Sequence, residues 1–313
     1  MPKSIVAGIL AGLFALLLSM SAAAEVINVE FKFTPFVGDP AKEDKVTTVA
    51  GTARVFLNGA LFAEQDVSAD EVPVLFDERE IAPSVWVPAS SCGPALRKGK
   101  NTIRIEFDPS DAEAAYRAQL RWAEVMSEST EESEDGRSSA TNQSGEGVEE
   151  KEAKGHIVFE HAFQADFATD LPWHHYPAVT SLSDADKKTL GAIVARRVEA
   201  FQPDFSKLYA LMEGREGIDL AGVKASKCID KAYEVGARME APPAAEIEFM
   251  TSGSPEVVIR AKKGMLFFLS DMSVFEKITD EDVQMCVGMS LSVVYPPRLV
   301  AVRSAAGAWE IAY

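Results

Sequence analysis

Apolar and polar residues alternate strictly along several short stretches of the first half of the chain. Ile103, Ile105 and Phe107 take every second position of one stretch, and residues 116–122 repeat the pattern. Since successive side chains of a strand point to opposite faces, a period of two predicts half-buried strands. Asn58-Gly59 adds a tight-turn dipeptide between two such stretches. Many short strands separated by turns predict an antiparallel β-sandwich over residues 25–170.

Residues 127–154 interrupt this pattern. They are mostly acidic and small polar residues, with almost no apolar side chains. A segment of this kind cannot bury enough apolar surface to offset the entropy lost on ordering. We therefore predict a disordered acidic loop inside the sandwich domain. It is either a solvated insertion or a surface for cations or a basic partner.

A second pattern begins after a proline-containing linker at residues 171–179. Ser183 and Asp186 have the spacing of a capping box, and the apolar residues that follow predict a helix over 184–200. Further helices are predicted at 203–214 and 220–235. Strands are predicted at 246–250, 257–260, 265–269, 284–294, 299–303 and 309–313. Helices followed by an antiparallel sheet predict an α+β domain over residues 180–313, so the whole chain is predicted to be α+β.

The helix-then-strand order, together with the final Trp309-Glu310-Ile311-Ala312-Tyr313 strand, resembles the cone-shaped nuclear transport factor 2-like and SnoaL-like proteins. That resemblance implies helices that close one side of a curved sheet around an apolar pocket. The stretch 53–107, with its Asn-Gly turn and its Gly-Lys-Asn lead-in to a strand, resembles carbohydrate-associated jelly-roll sandwiches. No ligand is carried over from either family.

The start of the chain has the features of a secretory signal peptide. Lys3 precedes an apolar run at residues 5–18, and Ala22-Ala23-Ala24 has the small residues that a signal peptidase requires. We predict a cleavable signal peptide at residues 1–24 and no membrane insertion after its removal. The mature chain is then predicted to be a bacterial envelope protein, periplasmic or secreted.

Export would place the three cysteines in an oxidising compartment. Two interpretations stay open from the sequence. Cys228 and Cys286 form a disulfide and leave Cys92 free, or all three cysteines are small buried apolar residues.

The formal net charge of −17 argues against a nucleic-acid partner, because phosphate binding requires clustered Lys and Arg. Phosphate-loop, dinucleotide and nucleophile-elbow motifs are missing from the sequence, so no cofactor and no catalytic residue are predicted. The acidic residues Glu213, Glu216 and Asp219, and those at 280–282, are predicted to lie at helix ends and turns.

All four histidines lie between residues 156 and 175. Imidazole and carboxylate are ligands of zinc and copper, so His174, His175 and Asp170 are candidate metal ligands. The favoured alternative is structural. In it Trp173, His174 and Tyr176, held between two prolines, pack the junction of the two domains.

Five methionines at positions 250, 265, 272, 285 and 289 enrich the second domain. They are predicted to fill its core, or else to line an apolar pocket or a protein-binding groove. The main functional prediction is a non-enzymatic binding protein whose partner is a protein or an apolar small molecule. The alternatives are a pocket-type hydrolase or isomerase in the C-terminal domain, and a histidine-based metal-binding protein.

Overall fold

The computed structural model describes residues 25–75, 79–126, 142–215 and 217–313. The predicted signal peptide and the first part of the acidic segment, residues 127–141, lie outside the described residues. The described part is α+β with antiparallel sheets, which confirms the predicted fold class. It contains no helix that is both long and apolar enough to cross a membrane.

The first half of the chain forms two antiparallel sheets. Its strands are β1 Val26–Val37, β2 Lys45–Thr48, β3 Gly51–Leu57, β4 Ala60–Val67, β5 Glu71–Leu75, β6 Glu80–Ile81, β7 Val85–Pro88, β8 Gly99–Pro109, β9 Ala115–Met126, β10 Asn142–Lys154 and β11 Ile157–Ala165. One sheet has the order β10-β9-β1-β2-β5-β6, with β7 also paired to β1, and the other has the order β11-β8-β3-β4. A 3₁₀ helix, Ala89–Ala95, follows β7.

The alternating residues of the two sheets meet in a shared apolar core. Phe33 of β1 is fully buried, and its ring centroid lies 5.9 Å from that of Phe107 in β8 and 5.8 Å from that of Phe159 in β11. Phe33 is paired in register with Leu120 of β9, which is also fully buried. The period of two in the sequence is therefore explained by one buried and one solvent-facing side of each sheet.

The prediction that residues 127–154 form a disordered loop is wrong for residues 142–154. These residues form β10, which pairs antiparallel with β9 from Asn142↔Met126 to Lys154↔Ala115. An edge strand is held by main-chain hydrogen bonds and tolerates charged side chains in solvent, so its acidic composition gives no strand signal. Arg117 also pairs with Glu150, which neutralises part of the acidity.

The second half combines helices with a four-stranded sheet. Its helices are α1 Asp184–Glu199, α2 Ser206–Met212, α3 Leu220–Ser226, α4 Cys228–Glu234 and α5 Glu281–Val294, and its strands are β12 Met239–Glu240, β13 Ile247–Thr251, β14 Glu256–Ala261, β15 Phe268–Leu269, β16 Arg298–Arg303 and β17 Trp309–Ile311. The sheet has the order β13-β14-β16-β17, and β12 pairs with β15. Short 3₁₀ helices span Pro172–His175, Ala244–Glu246 and Met272–Lys277.

Residues 284–294, predicted as a strand, belong to helix α5. The Asp280 side chain caps this helix by accepting from the backbone N–H groups of Asp282 and Val283. Val283, Val287 and Leu291 are buried at helical spacing. Val287, Val293 and Val294 are β-branched and favour a strand locally, but packing of the buried helical face against the domain core decides for a helix. The predicted strand at 265–269 is likewise reduced to Phe268–Leu269.

The capping box predicted at the start of α1 is present. The Ser183 side chain accepts from the Asp186 N–H, and Asp186 accepts in return from the Ser183 backbone. The predicted helix at 220–235 is divided into α3 and α4 by Lys227, whose φ of 52° lies in the left-handed region.

The C-terminal sheet is covered on both faces. Val257 and Ile259 of β14 face the helices, whereas Val258 packs against Phe56 and Leu61 of the sandwich. This explains why β14 is a continuous apolar run and does not alternate. The two domains therefore share a small apolar core.

Candidate functional site

The structure distributes the four histidines over two places. His156 Nδ1 lies 2.8 Å from an Asp108 carboxylate oxygen, and the His161 ring stacks on Trp122 with centroids 3.9 Å apart. Both belong to the sandwich. Burial lowers the pKa of His161, which favours a neutral ring against the indole.

His174 is buried and bonded to main chain through both ring nitrogens. The Leu171 N–H donates to Nδ1 at 3.2 Å, and Nε2 lies 2.9 Å from the Pro94 carbonyl oxygen, to which it donates. Since Pro94 belongs to the sandwich, His174 fastens the linker to the first domain. Trp173 packs edge-on against the His174 ring.

Asp170 lies beside both candidate histidine ligands. It is 2.9 Å from His175 Nε2 and 3.8 Å from His174 Nδ1. The lone pair of His174 Nδ1 is already used by the Leu171 N–H, so a metal ion would have to displace that bond. The described residues contain no group of three or more His, Cys, Asp or Glu side chains placed to hold a metal. Metal binding by His174, His175 and Asp170 stays a prediction.

A cleft of about 820 Å³ lies where the two domains meet. Its lining includes Asn58, Arg97, Arg104, His174, Tyr176 and residues 250–255. Arg97 Nη2 donates to both carboxylate oxygens of Glu256 at 2.8 and 3.1 Å, and the Ser254 hydroxyl donates to the same carboxylate at 2.6 Å. These bonds join the domains, which is a structural role.

The three cysteines and the acidic residues Asp219 and Asp280 have structural roles. Cys228 of α4 and Cys286 of α5 are joined by a disulfide. Cys92 is free and buried, and burial raises its pKa to about 12, so it is a protonated thiol at neutral pH. Asp219 caps α3, in agreement with its predicted place at a helix end, whereas Asp280, predicted to lie in a turn before a strand, caps helix α5. Glu216 lies outside the described residues.

The prediction that the methionines fill the core is wrong for four of them. Met265, Met272, Met285 and Met289 are each more than half exposed. Met285 and Met289 are one turn apart on the outer face of α5. Met250 alone of the five is half-buried, beside the apolar core that joins the domains.

An apolar groove of about 880 Å³ lies between α1 and β13. Its apolar lining comprises Val194, Ala195, Val198, Ala241, Pro242, Ala244, Ile247 and Phe249. Lys187, Lys188 and Lys262 also line it, and all three are exposed. Among the ion pairs of the described residues, none involves these lysines. The groove therefore combines an apolar lining with three lysines and two carboxylates, Glu199 and Glu248.

Gly191 lines this groove without a side chain. It lies inside α1, where glycine costs about 1 kcal/mol relative to alanine. A Cβ added at Gly191 would meet no heavy atom within 4 Å, so neither a tight contact nor a positive φ requires glycine there. No local pattern in the sequence predicts this groove, because its two walls are about 50 residues apart in the chain; the one local feature is a glycine within a helical pattern.

Comparisons with protein-family models, with curated proteins and with solved structures find no match to this chain. The two family resemblances noted in the sequence stay predictions.

Proposed function

We propose that this protein is an exported, non-enzymatic binding protein that holds an apolar small molecule with an acidic end. The observation that carries the proposal is the groove between α1 and β13, with its apolar floor, its three lysines and its central glycine. Its volume lies within the range of about 300–1,000 Å³ usual for small-molecule sites. The signal-peptide pattern at residues 1–24 supports export.

The lysine-lined edge supports the acidic end of the ligand. Lys187, Lys188 and Lys262 have no ion-pair partner among the described residues, so their ammonium groups are available to a ligand in the groove. A carboxylate beside them would gain charge-assisted contacts while its apolar part lies on Val198, Ile247 and Phe249.

Groove chemistry supports binding more than turnover. Two carboxylates line the groove, and one of them, Glu248, accepts from Arg260 Nε at 2.9 Å. The remaining carboxylate, Glu199, is exposed. General acid–base catalysis requires a carboxylate held within reach of a substrate, and the Glu248 carboxylate is already engaged by Arg260.

The test uses a fluorescent long-chain fatty acid and its methyl ester as probes. Both should bind the wild-type protein, and the acid should bind more tightly at low ionic strength. Gly191→Leu should weaken both at least about tenfold, because the new side chain fills the groove. Gly288→Leu is the matched control. Gly288 also lies inside a helix with nothing within 4 Å of its added Cβ, but it is on α5.

Two results would overturn the proposal. One is the failure of the wild-type protein to bind either probe. The other is equal binding by wild type and Gly191→Leu, which would place the probe elsewhere on the protein. Replacing Lys187, Lys188 and Lys262 together by Gln should remove the preference for the acid over the ester.

A further inference from the structure

A second, smaller cavity lies on the other side of helix α1. Its volume is about 370 Å³, and it is lined by Ile193, Arg196, Arg197, Ala200, Lys207, Leu211, Arg215 and Ile311. Residues advance by about 100° around a helix, so positions 193, 196, 197 and 200 lie opposite the groove positions 191, 194 and 198. The cavity is therefore separate from the groove, and binding of a ligand in it does not depend on the function proposed above.

Four of the residues that line this cavity are cationic, and none is acidic. Among the ion pairs of the described residues, none involves Arg196, Arg197, Lys207 or Arg215. Other arginines of the chain do have carboxylate partners, as Arg260 and Arg303 show. Four cations that have no ion-pair partner among the described residues, in a chain of net charge −17, require an explanation.

Arg197 makes the cluster unusual, because it is 6 % exposed. Its Nη1 donates to the Val294 carbonyl oxygen at 2.5 Å, and this is the one side-chain hydrogen bond that it makes to the described residues. Nε and Nη2 donate to no described residue, and neither atom is fully buried, so their N–H groups can reach a ligand in the cavity. A buried guanidinium without a carboxylate partner is costly unless something else compensates its charge.

The pKa of Arg197 reflects its burial beside a second arginine. Burial, and then the nearby Arg215, lower the pKa of Arg197 to about 10, so two positive charges repel one another at the cavity. Arg197 nevertheless stays protonated at neutral pH. An anion placed between the two guanidinium groups would relieve the repulsion and use the free donors.

We propose that this cavity binds a multiply charged oxyanion, namely the phosphoryl group of a small phosphate ester. Several cations in one small cavity suit a dianion better than a single carboxylate, and the planar guanidinium matches phosphate oxygens in a bidentate manner. Ile193, Leu211 and Ile311 supply apolar surface for the organic part of the ester.

The experiment measures the binding of inorganic phosphate and phenyl phosphate to the full mature chain by calorimetry and thermal unfolding, at constant ionic strength set with chloride. Both ligands should raise Tm, because they bind the folded state. Phenyl phosphate should bind more tightly, since its ring lies on the apolar wall. Arg215→Gln should weaken both at least about tenfold.

Arg197→Lys keeps the charge but removes the planar fork, so it should lose most of the affinity that Arg215→Gln loses. Lys263→Gln is the control, because Lys263 is exposed and does not line the cavity. Absence of binding by wild type, or equal binding by wild type and Arg215→Gln, would overturn the proposal. The Tm of Arg215→Gln and of Arg197→Lys without phosphate reports whether each variant folds, so a loss of binding can be distinguished from a loss of structure.

Discussion

Asp186 Oδ1 accepts a hydrogen bond from Trp309 Nε1 at 2.9 Å, which ties the first turn of α1 to the last strand of the sheet. The same oxygen accepts from Arg303 Nη2 at 2.9 Å, while Oδ2 accepts from the Ser183 hydroxyl at 2.7 Å. One carboxylate thus caps the helix that separates the groove from the cationic cavity, and it holds that helix on the sheet.

These bonds make Asp186 an acid-sensitive group. Hydrogen bonds from Ser183 and Trp309 lower its pKa from 3.8 to about 2. Because the folded-state pKa is depressed, its stabilisation is present above about pH 4 and is lost as the pH falls towards 2. Asp186→Asn should lower the free energy of unfolding at pH 7 by about 2 kcal/mol and should flatten the decline of Tm between pH 4 and 2. Asp184→Asn in the same helical turn is the control. Parallel pH profiles for wild type and Asp186→Asn would contradict the prediction.

The Asn58-Gly59 turn should tolerate no side chain at its glycine. Gly59 has a φ of +85°, and an added Cβ would lie 2.4 Å from the Ser252 carbonyl oxygen of the second domain. Gly307 has a φ of +82° with nothing within 4 Å of an added Cβ. Gly307→Ala should therefore cost about 1 kcal/mol of backbone strain, and Gly59→Ala clearly more, as measured by urea unfolding. Equal losses would show that the domain contact yields without cost.

The buried ion pair between the domains should be far more sensitive than a surface pair. Glu256 is 2 % exposed and bonded to the partly buried Arg97, so Glu256→Gln leaves the arginine without a compensating negative charge. We expect a loss of about 3–5 kcal/mol in the free energy of unfolding. Glu71→Gln breaks the exposed Lys45–Glu71 pair and should change it by less than about 1 kcal/mol. Similar losses in the two variants would refute the difference.

Reduction of the disulfide should destabilise the second domain. Cys228 and Cys286 are 58 residues apart. Loss of a cross-link over that separation raises the entropy of the unfolded chain, which lowers the free energy of unfolding by about 4 kcal/mol at 25 °C. A reductant should lower the Tm of wild type but not that of a Cys228→Ser, Cys286→Ser double variant. A fall in the double variant as well would locate the effect elsewhere.

Local sequence patterns predict the elements whose structure depends on residues close to one another in the chain. Strand β8 shows the period of two, and α1 combines a capping box with a helical apolar face. Both elements are therefore predicted from the sequence. Helix α5 is not, because Val283, Val287 and Val294 favour a strand locally and only their contacts with the domain core decide for a helix. Strand β10 is not predicted from its composition, because main-chain pairing with β9 stabilises it and its side chains are mostly polar.

The sequence by itself determined the α+β class, the alternating sandwich strands such as β8, and the start of α1, because these depend on periodicity and capping within a few residues. The tertiary structure decided the candidate sites. Phe249 and Gly191 line one groove only because the fold places β13 beside α1. Arg197 lines a cavity with residues of α2 and β17, and among the described residues no carboxylate pairs with it. Binding sites of this kind depend on burial and on charges brought together over long separations, which no local pattern encodes.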